Sequence, residues 1–306
     1  MRAIAFSVFS QLSASVRNTA MNRPRVVPIA VAVVVVLGAP GLKGDEPPPS
    51  KIAAAKQDTN GILVHAVESP LQKGPTEIQV LLPARLEKDR KYPVVYVLPV
   101  EPGTEQRFGN GLREVQKLDL ADKHGLIFVQ PTFAQMPWYV DHPRDKAVRQ
   151  ETYFLTVVVP FIDKQYPVVT EAKGRLLLGF SKSGWGAFSL LLRHPDMFAR
   201  ASAWDAPLNL VKPAFGLGDI VGTQEHFEQY QLAKALERHA DELKKDKRLA
   251  LVGYANFAAH HLAIHEQLER LKIPHEYRDE KKPKHTWDAG WIDNAVQFLV
   301  TPTKDR

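Results

Sequence analysis

The 306-residue chain contains no cysteine, which excludes disulfides, thiolate metal ligands and a cysteine nucleophile. It also has no acidic residue before Asp45, although Arg2, Arg17, Arg23, Arg25 and Lys43 all lie there. The net charge of +6 therefore sits mostly at the front, because the remainder holds 35 basic and 34 acidic residues. That remainder carries no Lys/Arg stripe, so no nucleic-acid partner is expected. Nor is there an uninterrupted apolar run of the ~20 residues that a bilayer-spanning helix needs, and no stable membrane span is expected.

What the front does contain is an apolar run over 26–37, preceded by Arg23 and Arg25 and followed by small residues and a turn. This is the grammar of a secretory signal peptide. Residues 1–44 are expected to be that signal, with Met21 a second candidate start, and the protein to be exported to the periplasm or the outside. Asp45-Glu46-Pro47-Pro48-Pro49-Ser50 opens a Pro-rich polar stretch, read as a flexible linker over 45–60. The folded domain is expected over 61–302.

Within that domain, short apolar, β-branched runs recur at 62–67, 76–82, 94–98, 126–130, 175–178, 200–204, 248–253 and 274–277. Helical patterns intervene at 112–123, 152–166, 184–194, 225–244, 258–271 and 289–299. Strands alternating with helices predict an α/β fold: about eight strands, mostly parallel after an antiparallel start, with helices on both faces. The loop-like region 207–222 is expected to cap the carboxyl ends of the strands, where open α/β sheets place ligands.

Gly179-Phe180-Ser181-Lys182-Ser183-Gly184-Trp185-Gly186-Ala187 follows the apolar run at 175–178. It approximates G-x-S-x-G, the sharp strand-to-helix turn that presents a nucleophilic serine, with Ser183 at the second glycine. An ordinary strand-to-helix turn is the alternative. A serine hydroxyl needs a base to take its proton, and the chain order of such enzymes puts a histidine after the last strand. His285 lies there, in Lys284-His285-Thr286-Trp287-Asp288. For the acid, Asp205 closes the apolar run at 200–204, while Asn256 and Asp279 are alternatives; Asn256 could orient an imidazole but could not neutralise its charge. His260, His261 and His265 are read as a polar helix face, with no metal expected.

These fragments resemble the esterase D-like putative esterase family of α/β-hydrolases, which includes feruloyl and acetyl-xylan esterases, S-formylglutathione hydrolases, enterochelin esterases and mycolyltransferases. The resemblance rests on Tyr92-Pro93-Val94-Val95-Tyr96-Val97-Leu98, Trp138-Tyr139-Val140-Asp141, Glu151-Thr152-Tyr153, Val159-Pro160-Phe161-Ile162-Asp163, the serine turn and His285-Thr286-Trp287, in that order. It implies a serine esterase with the α/β-hydrolase fold, Ser181 as nucleophile, His285 as base and no cofactor. The expected substrate is a small-molecule or carbohydrate ester with an acyl or aryl group. Where relatives usually carry His-Gly after the third strand, this chain has Pro99-Val100-Glu101. The oxyanion donors expected here are the N–H groups of Lys182 and of Val100 or Glu101, since proline has none. The Lys182 side chain could pair with Glu101, attract an acidic substrate or remain solvated. Trp138, Trp204 and Trp287 are expected to line the substrate pocket. The alternative function is a catalytically silent domain that binds a ligand or carbohydrate through the inherited cleft.

Overall fold

The computed structural model describes residues 49–301. The expected signal peptide and the start of the expected linker lie outside them. Ten strands form one sheet: β1 (Lys51–Ile52), β2 (Lys56–Gln57), β3 (Leu63–Glu68), β4 (Thr76–Leu81), β5 (Val94–Leu98), β6 (Ile127–Pro131), β7 (Arg175–Phe180), β8 (Arg200–Trp204), β9 (Leu249–Leu251) and β10 (His275–Tyr277). Their spatial order is β1-β3-β4-β6-β5-β7-β8-β9-β10, with β2 also paired to β3. The pairs up to β4·β6 are antiparallel, and every pair from β5·β6 to β9·β10 is parallel.

Eight of these strands correspond to the expected runs. The other two correct the linker boundary. Lys51–Ile52 and Lys56–Gln57 both hydrogen-bond to β3, so ordered structure starts ahead of Gly61. These segments hold no proline beyond the Pro47-Pro48-Pro49 run and can donate to a ladder that β3 leaves open.

The central strands are buried on both faces, as parallel strands covered by helices must be. Val94, Tyr96, Leu98 and Leu177 face one core, and Val95, Val97, Leu176, Leu178 and Phe180 face the other, in the period of 2 that the pleat imposes. The covering helices are α1 (Gly111–Lys117), α2 (Leu120–His124), α3 (Gln150–Tyr153), α4 (Val159–Gln165), α5 (Lys182–Arg193), α6 (Leu217–Val221), α7 (Gln224–Glu228), α8 (Leu232–Arg238), α9 (Ala240–Leu243), α10 (Ala258–Leu271) and α11 (Ile292–Val300).

Three expected helices are broken, each for a local reason. Asp119, at φ 58°, divides α1 from α2. A π-helical turn, Phe154–Val158, stands between α3 and α4, where Pro160 lacks an N–H and its ring would crowd the carbonyl of Thr156. The pattern at 225–244 gives α7, α8 and α9, because Tyr230 is drawn into the interior, where its hydroxyl donates to Glu151 at 3.1 Å. The same Glu151 binds Arg193 through both oxygens, at 2.8 and 3.0 Å, and His194 at 2.6 Å, tying the end of α5 to this region. No helix among the described residues is long and apolar enough to cross a membrane.

Candidate active site

β7 ends at Phe180, α5 begins at Lys182, and Ser181 makes the whole turn at φ 53°, ψ −127°. Such a conformation costs a non-glycine residue about 1–3 kcal/mol and persists only where its surroundings enforce it. Two close approaches do so here. A Cβ on Gly179 would lie 2.2 Å from the Ser183 carbonyl oxygen, and one on Gly186 would lie 2.1 Å from the Tyr139 ring. Ser183 is fully buried, and its hydroxyl turns back to accept from the Phe180 N–H and donate to the Phe180 carbonyl, both at 2.9 Å. The residue that replaces glycine thus satisfies two polar groups at the strand end.

Strand register gathers the rest of the site. Leu98 pairs with Gly179, Phe180 with Trp204 and Ala203 with Leu251, so the loops leaving β5, β7, β8 and β9 open side by side. His285 reaches in from the loop after β10. Its Nε2 lies 3.0 Å from Ser181 Oγ, and its Nδ1 contacts Asp205 Oδ2. An Nδ1–H donated to that carboxylate leaves the Nε2 lone pair facing the serine hydroxyl.

Asp205 is wholly buried, at φ 41°, and its N–H donates to the Gly253 carbonyl at 3.1 Å. Its Oδ1 accepts the backbone N–H groups of Asn256 and Phe257 at 2.8 and 2.7 Å. Burial alone would raise this carboxyl, but the His285 contact and the N–H donors of residues 255–257 hold it below the usual aspartate range. The alternative acids do not reach the histidine. The Asn256 side chain is exposed and only its backbone takes part, while Asp279 is exposed and hydrogen-bonds Tyr254. His261 and His260, expected to be a polar helix face, are acceptors instead. His261 Nε2 takes the Ala206 N–H at 2.9 Å, and His260 Nδ1 takes the Asn209 N–H at 3.1 Å, bracing the chain just after Asp205.

Beside Ser181, the N–H groups of Val100, Glu101 and Lys182 find no hydrogen-bond acceptor among the described residues. The loop carrying the first two is held by Tyr139, whose hydroxyl donates to the Pro99 carbonyl at 2.6 Å while its ring lies against Gly186. Tyr139, at φ 58°, has no role legible in Trp138-Tyr139-Val140-Asp141; its contacts to Pro99 and Gly186 link loop and helix. The Glu101 carboxylate is 5% exposed and accepts the Phe108 N–H at 3.2 Å, with Arg107 Nε 3.8 Å away. Burial lowers the Lys182 ammonium from its ordinary range, against the opposing pull of Glu101.

The expected tryptophan pocket is corrected. Trp138 and Trp204 have no exposed surface and Trp287 only 2%, because each packs in the core. Trp138 meets Trp185 edge-on at 5.6 Å, and Trp204 stacks on Trp291 at 5.2 Å. Partly exposed phenylalanines flank the histidine instead: Phe108 and Phe257 lie 5.5 and 5.7 Å from the His285 ring, and exposed Phe215 continues outward from Phe257 at 5.6 Å. A hydroxyl, an imidazole oriented by a carboxylate and three free N–H groups form a constellation able to transfer an acyl group.

A family model described as "Putative esterase" matches residues 69–293. Esterase Rv1288 of Mycobacterium tuberculosis is 31% identical over 148 residues, which cover 46% of this chain and 31% of that protein. The match thus spans about a third of that relative's length. Among solved structures, an S-formylglutathione hydrolase from Agrobacterium tumefaciens aligns over 81% of this chain and 98% of its own, with TM-score 0.65 and 16% identity. A ferulic acid esterase aligns over 78% and 97%, with TM-score 0.63 and 21% identity. The two structures share the α/β-hydrolase fold with this chain, and the family match covers most of the described domain: the chain belongs to the putative esterase family.

Proposed function

We propose that the protein is an exported serine esterase in which Ser181 attacks the ester carbonyl, His285 moves the proton and Asp205 supports the resulting imidazolium. The observation that carries this reading is the unbroken line of contacts from Asp205 through His285 to Ser181, with 3.0 Å between imidazole and hydroxyl. In the first half-reaction, Ser181 Oγ bonds to the carbonyl carbon as its proton passes to His285 Nε2. The oxyanion is held by the N–H of Lys182 with that of Val100 or Glu101. Collapse breaks the bond to the leaving alkoxide, which takes the proton from His285, and an acyl-serine remains. Water then attacks the acyl carbon with His285 again as base, and as the bond to Ser181 Oγ breaks His285 returns the proton to that oxygen and the carboxylic acid leaves.

The alternative of a silent binding domain rested on the altered loop after β5 and on Asn256. Asp205 offers the carboxylate that Asn256 lacks, and the loop after β5 still presents free N–H donors, which favours the esterase reading. For the substrate, the phenylalanines beside His285 favour an ester with an apolar or aryl portion, while a carbohydrate-linked ester rests on the family resemblance alone. Export rests on the leader sequence alone. Hydrolysis of p-nitrophenyl acetate and of longer or aryl esters by the wild type, compared with Ser181→Ala, tests the reading: the variant should retain less than about a thousandth of the turnover with its Tm unchanged. Equal rates in the two folded proteins would reject it.

A further inference from the structure

The third histidine of the series, His265, belongs neither to the serine site nor to its braces. On α10 it stands one helical turn before Glu269, and both face β10 at the parallel edge of the sheet, where His275 begins the strand. His265 Nδ1 lies 2.8 Å from His275 Nε2, and Glu269 Oε1 lies 3.8 Å from that same nitrogen. One ligand atom from each of the three residues falls within 4.8 Å of both others.

Two features distinguish this group from a chance meeting of polar side chains. First, His275 is oriented from behind: its Nδ1 is 2.8 Å from the Ile273 carbonyl, which can only accept, so the proton sits on Nδ1 and the Nε2 lone pair points at the cluster. A ring nitrogen anchored on a backbone carbonyl is the arrangement that fixes metal-binding histidines. Second, the rings are held in place. The His275 side chain is only 3% exposed, and the His265 ring stacks on Tyr277 at 3.8 Å and 5°. Glu269, by contrast, is 67% exposed and leaves an approach from solvent.

We propose that His265, Glu269 and His275 form a binding site for a divalent transition-metal ion of the Zn²⁺ type, clamping the last turns of α10 to the edge strand β10. Two imidazoles and one carboxylate suit such an ion and not Ca²⁺ or Mg²⁺, which prefer oxygen donors. Nitrogen ligands about 2.0–2.1 Å from a tetrahedral ion are about 3.3 Å apart, so small rotations of His265 and Glu269 would complete three corners and leave water the fourth. Without the ion, a proton on His265 Nδ1 bridges to His275. With it, that proton moves to Nε2 and the Nδ1 lone pair becomes a ligand. The clamped strand leads into the loop that carries His285, so the ion's effect is on the rigidity of that edge and not on the acyl chemistry.

The test uses the untagged protein, stripped with chelator and titrated with ZnCl₂ by calorimetry near pH 7.5. About one equivalent should bind with a Kd of roughly 1 µM or tighter, and Tm should rise by about 5 °C at a hundredfold excess over Kd. His265→Ala and the exposed Glu269→Gln should each weaken binding at least roughly tenfold, the latter without risk to folding, while ester hydrolysis by the metal-free variants stays at the wild-type rate. No saturable binding below about 100 µM would overturn the proposal, as would unchanged affinity in both variants.

Discussion

The backbone N–H of Asn256 donates to Asp205 Oδ1 at 2.8 Å, so the two residues that sequence alone offers as rivals for one role are bonded to each other. The carboxylate faces His285 through one oxygen and is held by backbone donors through the other, while the Asn256 amide points to solvent.

Asp205→Asn should therefore lower kcat by about 10³–10⁴, since a neutral amide neither fixes the tautomer nor balances the imidazolium. Asn256→Ala should change kcat by less than about threefold, because its backbone donor survives. Steady-state kinetics of both variants decides between them, and a large loss on Asn256→Ala with little on Asp205→Asn would reverse the assignment.

Ser183→Gly separates stability from chemistry. The variant should keep near wild-type turnover but lose about 1–3 kcal/mol in urea unfolding, because the Phe180 N–H and carbonyl lose a buried partner. A stabilised variant would contradict the role given to this hydroxyl.

Tyr139→Phe keeps the ring on Gly186 and removes the bond to the Pro99 carbonyl. A loop freed in this way should misplace an oxyanion donor in the transition state more than it affects substrate binding. The expected outcome is a kcat lower by about tenfold with KM nearly constant, against the 10²–10³ of losing a donor outright. A change confined to KM would assign Tyr139 to binding.

Burial depresses His261 from 6.5 to about 4, with Asp205 opposing and His260 adding to the shift. Between those values the unfolded chain binds a proton that the folded one refuses. The neutral ring's contribution is thus complete above about pH 6.5 and is lost as pH falls towards 4, by up to roughly 3 kcal/mol. Unfolding free energies of wild type and His261→Gln at pH 5 and pH 7 should differ in slope by about one proton. Parallel slopes would show that His261 does not carry this dependence.

The parallel core was legible in the sequence because Val94–Leu98 and the run Leu176-Leu177-Leu178 are apolar on both faces and bounded by Pro93 and Gly179. Ser181 and His285 were legible through their order along the chain. Asp205 was legible as a carboxylate at a strand end, but the preference over Asn256 needed charge chemistry and not pattern. The tryptophans misled because proximity in sequence to a loop says nothing of which face a ring takes, and Trp204 and Trp287 turn inward beneath Phe180. The roles of Tyr139 and His261 arise from contacts across 40 and 55 residues, to which no local spacing points.

The central claim, an activated serine at position 181, is tested most directly by incubating the folded protein with an excess of a fluorophosphonate and mapping the adduct by intact-mass and peptide analysis. The account predicts one adduct per chain, on the peptide containing Ser181, with labelling slowed by about 10³ or more in His285→Ala. Folded protein that stays unlabelled, or an adduct on any other residue, would contradict it.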